Sequence, residues 1–211
     1  MLLRKFLKFS ILAYALIIAL VSANVSQAQS VADIINAAEK KSDEINRVLS
    51  VLQNADQVTQ FALVEALLKE KDKALVKIGR EHALFSTNPA MQNLAIQSVL
   101  NTNSHLRLAL TDGETADSLK WVEHVGGTSD EKSGFVLLET GSYDGKCWLQ
   151  PIFNRCRFSV LGTSVQFQNH SNGGQSVRRA QASLALGADG VLRGPIVSSS
   201  GRALLSIDLK E

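Results

Sequence analysis

The sequence predicts an α+β protein, with short tandem helices followed by an antiparallel β-sandwich or barrel. Three observations carry this reading. The hydrophobic period changes from helical to alternating between Thr102 and His105. Between Gln29 and that point stand one glycine, Gly79, and one proline, Pro89, whereas glycines cluster after it. Hairpin-type sequences, Asp144-Gly145, Asn172-Gly173-Gly174 and Asp189-Gly190, punctuate the second half.

Residues 1–28 carry a basic start (Arg4, Lys5, Lys8), an uncharged apolar run from Ser10 to Ala23, and small residues at Ser26-Gln27-Ala28. That is the order of parts in a secretory signal peptide cleaved before Gln29, with Val21-Ser22-Ala23 as a second site. An uncleaved anchor is the alternative, because roughly 14 to 18 apolar residues fall just short of the roughly 20 that span a bilayer. The expected location is therefore exported, periplasmic or extracellular. Removing the segment takes the formal charge from +2 to about −1 and leaves roughly 180 residues. No later stretch is long and apolar enough to span a membrane, and the charge does not point to nucleic acid.

Residues 29–104 form the helical region. Val31, Ile34, Ile35, Ala38, Ile45, Val48, Leu49 and Leu52 make one apolar stripe on a helix from about Val31 to Leu52. A repeat of about sixteen residues follows, with Asp56, Asp72 and Asn88 in register and Leu68, Leu84 and Leu100 closing the units. Asp and Asn accept hydrogen bonds from the free N–H groups of a first helical turn, and Pro89 is tolerated there. Over residues 56–104 the pattern resembles a HEAT-type helical array with shortened units. Three consecutive helices of a small bundle would give the same spacing.

Residues 105–133 are expected to be an acidic connecting segment. Leu106, Leu108 and Leu110 alternate like a strand but also suit an extension of the preceding helix, and Asp117 to Val125 suit one more helix before Gly126-Gly127.

Residues 134–211 are expected to be the β domain. Strands are predicted at Gly134–Thr140, Gly145–Gln150, Arg155–Leu161, Thr163–Asn169, Ser176–Gly187, Val191–Ile196 and Arg202–Leu209. Alternation assigns Cys156, Phe158, Val160, Val165, Phe167, Ala180, Ala182, Leu184, Leu205 and Ile207 to a buried face, with Arg155, Arg157 and Arg179 on the wet one. Cys147 and Cys156 are the only cysteines, and in an oxidising compartment they are expected to pair. Closing a loop of about ten residues contributes about 2.5 to 3 kcal/mol on the chain-entropy estimate.

The catalytic motifs sought are missing: no Gly-x-Ser-x-Gly elbow, no phosphate-binding glycine loop, no His-Glu-x-x-His pair. His82, His105, His124 and His170 stand singly. Asp112, Glu114, Asp117, Glu123, Asp130 and Glu131 cluster, but without the ordered pattern of a calcium loop. No catalytic residue, metal ligand or cofactor is expected. The sharper signal is a split of charge. Residues 105–144 carry three basic and eight acidic side chains, and residues 145–211 carry eight basic and three acidic. Six of those eight are arginines: Arg155, Arg157, Arg178, Arg179, Arg193 and Arg202.

The expectation is therefore a non-catalytic exported binding or scaffold protein. It would recognise a protein or an anionic glycan through a β face bearing Trp148, Arg155, Arg157 and Arg179. Internal pairing of that face with the acidic segment is the competing outcome. Two other functions compete with it. One is a hydrolase assembled by the fold from His124 or His170 with Asp130 or Asp144. The other is an accessory protein that self-assembles by acidic-to-basic contact.

Overall fold

Helix α1 (Val31–Asn54) is the first described element and is started by a reciprocal cap. Asp33 N–H donates to Ser30 Oγ at 3.1 Å, and Ser30 N–H donates to the Asp33 carboxylate at 3.1 Å, so each side chain serves the other's backbone. The computed structural model describes residues 30–115, 118–173 and 176–210. The proposed signal peptide, residues 1–28, lies outside them, as does Asp117 of the acidic cluster. The backbone divides at Gln53/Asn54 into two compact units. In the first, the expected stripe is present but Val31, Ile34 and Ile35 are more than half exposed.

The second unit begins with three helices, α2 (Gln57–Leu68), α3 (Lys73–Leu84) and α4 (Pro89–Thr102). Their starts are set by the residues that the sequence repeat placed in register. Asp56 accepts from the Val58 and Thr59 amides at 3.0 Å, Asp72 from Ala74 at 2.8 Å and Asn88 from Ala90 at 2.9 Å. Each helix packs on the next, and α2 also meets α4, so the three close into a bundle instead of extending as a linear array. Gly79 permits the tightest approach. A Cβ there would stand 2.7 Å from the Leu67 Cβ, closer than packed atoms come.

Ten strands form one antiparallel sheet: β1 (His105–Thr111), β2 (Thr128–Ser129), β3 (Gly134–Glu139), β4 (Ser142–Tyr143), β5 (Trp148–Gln150), β6 (Arg155–Leu161), β7 (Ser164–Gly173), β8 (Ser176–Leu186), β9 (Val191–Ser198) and β10 (Gly201–Asp208). Their order is β2-β3-β1-β10-β9-β8-β7-β6-β5-β4. The chain passes from β3, near one end of that order, to β4 at the other through only Thr140 and Gly141. A link this short spans roughly 10 Å, so the sheet must curl back on itself, giving a half-barrel. Arg157 of β6 crosses the resulting gap and donates through Nη1 to the Glu139 carbonyl of β3.

Residues 105–133 are thus more than a connecting segment. β1 sits inside the sheet between β3 and β10, registered as Leu108↔Val136 and Leu108↔Ile207. The alternating leucines resolve as a strand because Leu106, Leu108 and Leu110 each bury fully on the concave side. Helix α5 (Lys120–His124) lays Trp121 on the same core. Its ring meets Phe167 edge-on at 6.0 Å, and Phe167 stacks obliquely on Phe158 at 5.4 Å. Burial of Val165, Phe167, Ala180, Ala182, Leu184, Leu205 and Ile207 follows the alternation. The cysteines are bonded, with Cα atoms 5.7 Å apart. No helix among the described residues is long and apolar enough to cross a membrane.

Candidate functional site

The arginine-bearing face is smaller than the sequence suggested, and two of its four expected residues turn inward. Trp148 is 2 % exposed. Cross-strand partners share a face, and Trp148 is registered opposite the core residue Phe158. Its indole N–H is satisfied by Asn101 Oδ1 on α4 at 3.0 Å. Strict alternation outward from Cys147 misassigned it because Cys147 precedes the strand. That cysteine lies in a turn whose Asp144 carboxylate accepts from the Lys146 and Cys147 amides.

Arg157 is the second correction, at 6 % exposure. The register steps from Trp148↔Phe158 to Leu149↔Cys156, which leaves Arg157 as the extra residue of a β-bulge. A bulge interrupts the alternation, and Arg157 and Phe158 are consecutively buried. Burial pulls the guanidinium pKa down and the nearby Glu139 carboxylate opposes that. A bulge depends on pairing with another strand, so strand periodicity does not announce it.

Arg155 and Arg179 remain exposed, and both converge on His170. Arg179 is the direct cross-strand partner of His170. The pair stands on the outer face, since their chain neighbours Ala180 and Asn169 are buried at 1 %. Arg155 lies at the start of β6. The His170 pKa is lowered first by partial burial and then by the positive charges of Arg155 and Arg179. Gln150 fixes this end of the sheet. Its side-chain amide donates to the His170 carbonyl at 2.7 Å and accepts from the His170 N–H at 3.3 Å, imitating a ladder rung beyond the Phe158↔Phe167 end of the β6–β7 pairing. Among the described residues neither Arg155 nor Arg179 forms an ion pair.

The remaining arginines divide. Arg193 is engaged by Asp189 in a two-pronged pair at 2.8 and 2.7 Å, which holds the Asp189 pKa at about 2. Arg202 is exposed beside Val197 on the neighbouring strand, and the side chain of Arg178 lies outside the described residues. Along the same outer face a shallow groove of about 330 Å³ is lined by Gln166, Gln181, Ser183, Pro195 and Val197. Gln166 donates to Ser183 Oγ across it at 2.8 Å.

The carboxylates considered for hydrolysis have local duties. Asp130 accepts from the Lys132 and Ser133 amides, and Asp144 closes its own turn, which lowers both pKa values. His124 Nδ1 faces the Lys120 carbonyl. No group of three or more histidines, cysteines, aspartates or glutamates gathers as a metal site among the described residues. His170 stands singly along the sequence and is paired there only with Asp130 or Asp144 as a hydrolase alternative. Its importance comes from register, which sets it between two arginines from other strands. Comparison with family models, curated proteins and solved structures finds no match.

Proposed function

We propose that this is an exported, non-catalytic binding protein that recognises an anionic glycan on the outer face of its half-barrel. The observation that carries the reading is the pair of exposed arginines, Arg155 and Arg179, flanking His170 with no carboxylate partner among the described residues. Guanidinium groups suit carboxylate and sulfate recognition through paired N–H donors. The neighbouring groove offers amide and hydroxyl side chains from Gln166, Gln181 and Ser183 over Pro195 and Val197, the mixture of hydrogen-bonding and apolar surface that a sugar ring requires. Export is supported by the order of basic, apolar and small residues in 1–28 and by the bonded cysteine pair.

Titration of the purified protein with a uronic-acid polysaccharide and with its neutral counterpart, at low and raised salt, tests this. Binding of the acidic polymer alone, weakened about tenfold or more by Arg155→Ala together with Arg179→Ala, is expected. Equal binding of both polymers, or none of either, would refute it.

A further inference from the structure

A second cationic site lies away from the β face, where α3 meets the end of α4 and the C-terminal strand. Lys71, Lys73, Lys77, Arg80 and Lys210 line a cleft of about 480 Å³ with Glu70, Val76, Thr102 and Asn103. Five cations face one carboxylate. Part of that excess is offset locally: Lys77 approaches Glu81 at 3.8 Å and Lys210 approaches Asp208 at 3.6 Å. Those are loose, solvent-exposed pairs that contribute little and exchange readily.

Arg80 is the distinctive group. It is half-buried, its Nη2 donates to Thr102 Oγ1 at 3.1 Å, and its Nε is buried without a hydrogen-bond partner. Burial lowers its pKa, and no carboxylate compensates among the described residues. A hydroxyl at the negative end of α4 meets it. A half-buried guanidinium whose Nε–H has no acceptor among the described residues carries a free-energy cost. An anion entering the cleft would supply the missing acceptor while meeting the lysines at the rim. The volume lies within the range of small-molecule sites, and it is too small for a polymer.

We infer that this cleft binds a compact ligand bearing two or more phosphate groups, with Arg80 at its base and Lys71, Lys73 and Lys77 around its mouth. Lys73, Lys77 and Arg80 share one face of α3 at steps of four and three residues, whereas Thr102 and Lys210 are brought beside them by packing. This site is independent of the glycan-binding face.

The probe is inorganic pyrophosphate, added to the intact disulfide-bonded protein and followed by calorimetry and amide NMR shifts. Saturable binding in the micromolar to low millimolar range is expected, on the order of 10⁻⁵ to 10⁻³ M, with shifts centred on residues 71–80 and 102–103. Lys73→Ala with Lys77→Ala should weaken it about tenfold, with the circular dichroism spectrum unchanged. Arg80→Lys should also weaken it, since an ammonium lacks the guanidinium fork. Arg155→Ala with Arg179→Ala should leave it intact, which separates this site from the β face. Vesicles of phosphatidylcholine with and without cardiolipin, whose headgroup carries two phosphates, identify the source of the phosphate. Retention on the anionic vesicles that pyrophosphate displaces supports the site and assigns a lipid headgroup, and pyrophosphate binding without vesicle retention supports it with a free ligand. Absence of pyrophosphate binding at about 10 mM, or equal binding by the lysine double variant, would overturn the inference.

Discussion

Replacing Arg157 separates a structural role from a recognition role, because the two predict opposite responses. The side chain is 6 % exposed and spans from β6 to the Glu139 carbonyl of β3. Arg157→Ala removes two buried methylenes, about 1.6 kcal/mol of apolar burial, and a charged hydrogen bond that contributes about 1.5 to 3 kcal/mol. Releasing a guanidinium whose Nε is unpartnered returns part of this. The expected net loss is about 2 to 4 kcal/mol, a drop of about 6 to 12 °C in Tm for a domain of this size. Arg157→Met keeps the stem and discards the charge. Its loss should stay within about 1 kcal/mol, since apolar replacement of a buried ion is often neutral. Thermal and urea unfolding followed by circular dichroism, with the disulfide intact and Arg155→Ala as surface control, gives the comparison. If Arg157→Ala is as stable as the parent protein, the side chain does not bridge the curled sheet. If Arg157→Met is as damaging as Arg157→Ala, the charge itself, and not the stem, holds the two strands.

Three further outcomes are expected. Replacing both Cys147 and Cys156 by serine should cost about 2.5 to 3 kcal/mol in urea unfolding, and no change on mild reduction of the parent protein would show that the bond contributes nothing to stability. Gly79→Ala should destabilise by about 1 to 3 kcal/mol through overpacking, because its Cβ would press on Leu67; a more stable variant would mean that α2 and α3 separate at no cost and that helix propensity decides. His170 has a folded pKa below its ordinary 6.5, so the folded state resists its protonation. Stability from this group is full above pH 6.5 and is lost as pH falls from there through the depressed folded value. His170→Gln should flatten the dependence of the urea midpoint on pH in that window, and an unchanged slope would assign the effect elsewhere.

Local chemistry wrote the helical half of this protein into its sequence. Asp56, Asp72 and Asn88 start helices because a capping side chain acts on amides two or three residues away. Strands β6 to β10 were similarly legible, since burial of one face imposes a period of two on the chain. The candidate face was readable only in part. Arg155 and Arg179 were found exposed where alternation put them, whereas Trp148 and Arg157 were displaced inward by a pairing register and a bulge that involve two strands at once.

What the sequence by itself determined is where elements begin, which faces are apolar, and that two cysteines stand close enough along the chain to bond. Tertiary structure alone decided that Leu106, Leu108 and Leu110 form an inner strand of the sheet, that the sheet curls until β6 reaches β3, and that Arg80 meets Thr102. The physical reason is range. Caps and periodicity act within a few residues, whereas register, curvature and the burial of a charge depend on groups 18 to 97 positions apart, whose meeting no local pattern encodes.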